Sequence, residues 1–185
     1  MPRATTHWTA DLVRVLPDDG NRYEVVDGEL FVTPAPRLMH QAAVLALVKI
    51  VDRYVADRGL GRTLFAPADI EFSPGRLVQP DVFVAPRVDG RLPRNWDEIR
   101  ELLLAVEVLS PSSSSADRQA KRIIYQQQRV PEYWVVDVDA RVVERWRLDD
   151  DRAKTLADVL IWQPAVSQPP LTIDLTRYFA EVWRD

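Results

Sequence analysis

Asp81 stands in a short apolar run, Gln79-Pro80-Asp81-Val82-Phe83-Val84. Glu107 stands near the end of another, Leu102-Leu103-Leu104-Ala105-Val106-Glu107-Val108. A lysine follows in Asp117-Arg118-Gln119-Ala120-Lys121. An ionised carboxylate inside an apolar run is costly without a partner. Two of them on neighbouring strands repel each other. A divalent cation between them removes that repulsion and makes the pair a hydrolytic site. The separation of Asp81 from Glu107 allows one connection between adjacent strands.

Composition narrows the chemistry. The chain has 185 residues and is 46% hydrophobic, enough for one domain with a sizeable core. The expected organisation is a single domain over 1–185, with a core at about 20–150 and an N-terminal helix and C-terminal extension packed on it. No apolar run approaches the roughly 20 residues that span a bilayer. The N-terminal residues lack a signal-peptide core, so the cytoplasm is the expected location. The absence of cysteine excludes zinc–thiolate sites, disulfides and cysteine nucleophiles, and two histidines cannot form a three-histidine metal site. A net charge of −4 argues against coating nucleic acid by bulk electrostatics, though not against a local basic face. Arg118, Lys121, Arg122 and Arg129 form such a candidate face, which equally suits a solvated helix.

The elements that must position these residues are readable. Thr6 to Leu16 predicts a short helix with Leu12, Val13 and Leu16 on one side. Asp27-Gly28 between Tyr23–Val26 and Glu29–Val32 predicts a hairpin with a primed turn. Met39 to Arg58 has the strongest helical period, stopped by Gly59. Gly61–Phe65 and Ile70–Phe72 read as a second strand pair, followed by the Asp81 strand, an irregular Pro86–Trp96 stretch and the Glu107 strand. Ala116 to Gln128 reads as a helix, Tyr133–Asp137 and Arg141–Arg147 as a hairpin, Val159–Trp162 and Leu171–Ile173 as strands, and Leu175–Trp183 as a closing helix. Helices and strands mix without a regular βα repeat. The fold class is therefore α/β, or mixed α+β, around a central mixed sheet.

The order of strand with Asp, strand with Glu, then helix and strand resembles the core of the PD-(D/E)XK nuclease superfamily. Pro80-Asp81, Val106-Glu107-Val108-Leu109-Ser110-Pro111, Asp117, Lys121, Tyr125 and Val130-Pro131-Glu132-Tyr133-Trp134 resemble more narrowly the Uma-two family of restriction endonucleases. Upstream, Tyr23-Glu24-Val25-Val26-Asp27-Gly28-Glu29-Leu30, Pro34, Pro36 and His40 agree with it. The resemblance implies a restriction-endonuclease-like fold, a mixed sheet flanked by helices. It also implies a Mg (or Mn) ion on Asp81, Glu107 and the main-chain carbonyl of Val108, since hard oxygen ligands suit these ions. A lysine would orient the attacking water and stabilise developing charge. The superfamily pattern places that lysine two residues after Glu107, where this chain has Leu109. Lys121, one of three lysines, is the relocated candidate, and it also suits an i,i+4 pair with Asp117 on a solvent face.

Other candidates have competing roles. Glu24 is either an upstream acidic ligand or the outward residue of a half-buried strand. Glu71, near the Asp81 strand, either reaches the metal or faces solvent. His40 either touches substrate or packs at the start of its helix. Tyr125, one turn after Lys121, either supports the lysine or fills the core, and Arg118 is a possible substrate contact. Gln126-Gln127-Gln128 suits base edges or an exposed helix end.

The implied activity is metal-dependent hydrolysis of DNA phosphodiesters, by a homodimer because two strands need two sites. The Pro86–Trp96 stretch and the segment after Asp150 are candidate interfaces. The alternative is a catalytically inactive nuclease fold serving as a DNA-binding or dimerisation module. A metal-free carboxylate-pair hydrolase of the glycosidase type ranks below both.

Overall fold

The computed structural model describes residues 7–33, 37–109 and 115–184, with the backbone alone for 115–118. Helix α1 (Ala10–Arg14) is shorter than the predicted Thr6–Leu16. Thr9 caps it, accepting from the Leu12 N–H at 3.4 Å, and Pro17 disfavours helical backbone before it. Ala10 and Val13 are buried, whereas Leu12, expected inward, is 42% exposed.

Strands β1 (Arg22–Val26) and β2 (Glu29–Thr33) form the predicted hairpin. Asp27 and Gly28 have φ of +49° and +86°, as a type I′ turn demands. Helix α2 (Leu38–Asp57) buries Ala43, Leu47, Val51, Tyr54 and Val55 at helical spacing, and Gly59 follows with φ of +60°.

The pairing of the next strands differs from the sequence reading. Strand β3 (Gly61–Phe65) pairs with β6 (Val82–Pro86), and β4 (Ile70–Ser73) pairs with β5 (Arg76–Val78). The turn at Pro74-Gly75 hands β4 a partner at almost no loop-closure cost, so β3 is left for a longer-range strand. The result is two sheets. One has the order β2-β1-β5-β4. The other has β10-β9-β8-β7-β6-β3, where β7 is Leu104–Val108, β8 Glu132–Asp137, β9 Val142–Arg147 and β10 Lys154–Leu156.

Within the six-stranded sheet β7 and β8 are parallel and the other pairings antiparallel. A parallel pair requires a crossover, and α3 (Ser115–Gln127) supplies it. Strands β6 and β7 read as continuous apolar runs because both sheet faces are covered. Val82, Val84, Leu104, Val106, Trp134 and Val136 face α2 and the closing helix α4 (Leu175–Trp183). Phe83, Ala85, Ala105, Tyr133 and Val135 face α3 and the four-stranded sheet.

The segment after Asp150 puts one face into the core and leaves the other exposed, with Val159, Ile161 and Val166 open to solvent. Strands β11 (Val159–Trp162) and β12 (Leu171–Asp174) pair with each other, and Leu160, Trp162, Ile173 and Phe179 are buried on the α2 side. Trp162 meets the fully buried Trp134 edge-on at 6.0 Å. Among the described residues no helix is long and apolar enough to cross a membrane.

Candidate active site

Asp81 and Glu107 share one face of the sheet. Val82 is opposite Val106 across β6 and β7, so one step further out Asp81 meets Glu107. Side chains alternate along strands, and this parity gives both acids the side of Phe83 and Ala105, beneath α3. The Val108 N–H donates to Asp81 Oδ2 at 2.8 Å, which locks the carboxylate to the neighbouring strand.

Helix α3 brings the amine. Lys121, Ile124 and Tyr125 are buried at i, i+3 and i+4, so one helix face lies on the sheet. The Lys121 ammonium donates to Glu107 Oε2 at 3.1 Å and lies 2.7 Å from Glu24 Oε2. The Tyr125 hydroxyl donates to Glu107 Oε1 at 3.0 Å. Glu24 Oε1 accepts from the Gln79 N–H at 2.7 Å. On Asp81, Arg22 Nη1 donates to Oδ1 at 2.7 Å, and His40 Nε2 lies 3.1 Å from Oδ2.

Glu24, Asp81, Glu107, Lys121 and His40 are each at most 7% exposed. Three buried carboxylates thus face two fixed cations, Arg22 and Lys121. Burial, reinforced by the charges of Asp81 and Glu24, pushes the Glu107 carboxyl up to about 8 against the pull of Lys121 and Arg22. Burial also opposes ionisation of Asp81, but the His40 hydrogen bond, the Arg22 charge and the Val108 N–H together hold its pKa below the usual value. Two neighbouring acids are therefore driven in opposite directions, a pattern typical of sites where carboxylates divide labour.

Of the residues singled out in the sequence, Asp81, Glu107, Val108, Lys121, Glu24, His40 and Tyr125 come together. Glu71 does not. It opposes Leu77 on β5, which in turn opposes Val25 on β1, so the pleat puts it on the α1 side, where it pairs with Arg14. Glu24, one residue from Val25, takes the opposite side. The Arg118 side chain lies outside the described residues. Among the described side chains the expected basic face on α3 is divided: Lys121 points at the acids and Arg122 stacks over Trp146 at 4.7 Å. Gln126 is not free for base edges, because its amide donates to the Asp150 carbonyl at 3.0 Å and accepts from Arg122 at 3.2 Å. Leu109 packs against the core on the α3 side of the sheet, so the position two after Glu107 is apolar in space as in sequence.

Arg22 is the site residue that sequence reasoning missed. Its signal was present: it stands two before Glu24, so both share a strand face. Starting the strand at Tyr23 left it outside.

Comparison with known proteins decides the family. The Uma2 family model, described as "Putative restriction endonuclease", matches residues 10–183. This chain belongs to that family. A crystal structure described as a putative nuclease belonging to DUF820 from Anabaena variabilis superposes with a TM-score of 0.77 at 16% identity, covering 94% of this chain and 98% of that one. At that identity the likeness establishes the fold alone. No curated protein matches this Uma2 member.

Among the described residues no three His, Asp or Glu side chains are grouped as a metal cage. The donor chemistry nevertheless fits a hard divalent ion. Magnesium is commonly held by one or two carboxylates, with waters and substrate phosphate completing its shell. Asp81 and Glu107 supply two such groups on adjacent strands, in a cluster carrying one more acid than fixed cations.

Proposed function

We propose that this Uma2 protein is a metal-dependent endonuclease that hydrolyses phosphodiester bonds of DNA. The observation that carries the reading is the convergence of Asp81, Glu107 and Lys121 on one buried patch in a member of a restriction-endonuclease family. Asp81, Glu107 and the Val108 carbonyl would hold a magnesium or manganese ion. When bound, such an ion activates water and neutralises charge on a phosphate oxygen.

The chain's own residues supply the rest. Arg22, His40 and the Val108 N–H fix the orientation of Asp81 and keep it ionised. Glu24 anchors the Lys121 ammonium beside Glu107. From there the lysine stabilises negative charge developing on the phosphate, the role that Leu109 cannot perform. Tyr125 holds the other oxygen of Glu107. A homodimer follows from the need to cut two strands, and sedimentation of the purified protein tests it.

The test of the activity is cleavage of duplex DNA, single-stranded DNA and RNA with manganese, alongside Asp81→Asn, Glu107→Gln and Lys121→Met. Cleavage that all three variants lose supports the reading. Equal cleavage by Lys121→Met removes the relocated lysine.

A second reading has its own observation. Both oxygens of Asp81 and Glu107 and Oε1 of Glu24 already have hydrogen-bond partners among Arg22, His40, Val108, Lys121, Tyr125 and Gln79, and the Lys121 charge lies 2.7 Å from Glu24 Oε2. A network so complete suits a catalytically silent DNA-binding or dimerisation module. Manganese titration separates the two, since the silent form binds no ion at Asp81.

A further inference from the structure

Beside the edge strand β3 lies a cavity of about 830 Å³ that the site described above does not use. Arg62, Arg94 and Arg100 line it around Trp96. All four side chains are exposed, with Trp96 at 50%. Among the described residues these three guanidinium groups make no ion pair.

The acids in the wall are largely occupied. Glu71 is paired with Arg14, and Asp69 accepts the Gln79 side-chain amide at 2.7 Å. Four arginines, Arg14 included, face Asp69, Glu71 and Asp97, so the lining carries one net positive charge in a chain whose net charge is −4. Planar guanidinium groups match phosphate, and an exposed indole offers a stacking surface to an unpaired base.

Register ties this groove to the acids. Arg62 is opposite Ala85 and Leu64 opposite Phe83, and Asp81 alternates with both along β6, so Arg62 shares the sheet face of Asp81. Four residues along a strand and one strand across is about 14 Å, the reach of a few nucleotides. Gln79 joins the two regions: its side chain binds Asp69 in the groove wall, and its N–H binds Glu24 in the cluster. Its Oε1 is buried without a hydrogen-bond partner.

We propose that this groove holds an unpaired stretch of nucleic-acid strand flanking the scissile phosphate, with Arg62, Arg94 and Arg100 on phosphates and Trp96 under a base. The inference rests on the nuclease reading for its scissile phosphate, but binding can be measured without cleavage.

The experiment is fluorescence anisotropy of a labelled single-stranded 15-mer in EDTA across a salt series, with a matched RNA and a blunt duplex as parallel arms. The full chain is compared with the triple variant Arg62→Ala/Arg94→Ala/Arg100→Ala and with Trp96→Ala, each checked for an unchanged melting temperature. Losing three phosphate contacts flattens the salt slope by about 2 and weakens single-strand binding roughly tenfold or more. Trp96→Ala weakens single-strand binding about tenfold while leaving the duplex nearly unaffected. The DNA and RNA arms show which sugar the groove prefers. Wild-type affinity and slope in the triple variant overturn the groove; if manganese-dependent cleavage then still depends on Asp81, the nuclease reading stands. If wild type binds through these arginines yet cuts nothing with manganese, the groove stands and the nuclease reading falls. Preference for blunt duplex with no effect of Trp96→Ala also overturns the proposal.

Discussion

The ammonium of Lys121 on α3 lies 2.7 Å from Oε2 of Glu24 on β1, with both side chains almost fully buried. The contact joins the crossover helix to the smaller sheet and fixes where the helix can sit. Breaking a buried ion pair from one side leaves the other charge uncompensated, at a cost of about 3–5 kcal/mol. Lys121→Met and Glu24→Gln are each expected to destabilise the fold strongly, and the double variant by less than their sum. Urea denaturation of the four-protein cycle measures this, and additive effects would mean the pair is not coupled.

Glu107 gives the fold a pH dependence of defined sign. Its carboxyl is raised from 4.5 in an unstructured chain to about 8 here, chiefly by burial. A raised folded-state pKa contributes stability that is fully present below 4.5 and lost as pH climbs through about 8. Metal-free protein should therefore lose stability between these limits, and Glu107→Gln should flatten the decline. Denaturation midpoints in EDTA from pH 5 to 8.5 provide the comparison; an unchanged slope in the variant assigns the dependence elsewhere.

Asp81 behaves oppositely. Although burial resists its ionisation, His40, Arg22 and Val108 hold its pKa down, so its contribution exists above the ordinary carboxylate range and is lost as pH falls through the lowered value. Asp81→Asn is expected to remove stability at neutral pH and little at strongly acid pH. A loss of equal size at both ends would rule out this ion pairing as the cause.

His40 supports Asp81 rather than contacting bulk solvent. Partners of a metal-ligating side chain typically contribute 10–100-fold to metal affinity. Under the nuclease reading, His40→Ala should weaken manganese binding by about that range in calorimetry. Full affinity in the variant would leave His40 a packing residue.

Tyr125 supplies a neutral hydrogen bond to Glu107 at 3.0 Å from a fully buried ring. Tyr125→Phe keeps the ring and removes the donor. The orphaned carboxylate oxygen should cost about 1–3 kcal/mol. A change under about 0.5 kcal/mol would show that Lys121 alone secures Glu107.

Much of this could be read along the chain. The Asp27-Gly28 turn, the helical period of α2, the closing helix Leu175–Trp183 and the β8–β9 hairpin depend on neighbours in sequence, and each stands where local chemistry put it. The Asp81–Glu107–Lys121 set was also legible, because acids in apolar runs betray themselves by their cost of burial. Arg22 was legible only in its strand face, shared with Glu24; that its guanidinium reaches a partner 59 positions away at 2.7 Å was not. Glu71 misled for the complementary reason: its type and neighbourhood fitted, but strand pairing chose its face.

Residue order alone determined most helices and strands, though not the short β5 and β10, and which charged groups would be too costly to bury singly, because both follow from short-range propensity and solvation. Only the tertiary structure decided that β3 pairs with β6, that Glu24 turns inward while Glu71 turns out, and that two cations rather than one enter the acidic cluster. Those outcomes depend on strand register, where a shift of one residue reverses every side chain, and register is settled by the packing of the whole core.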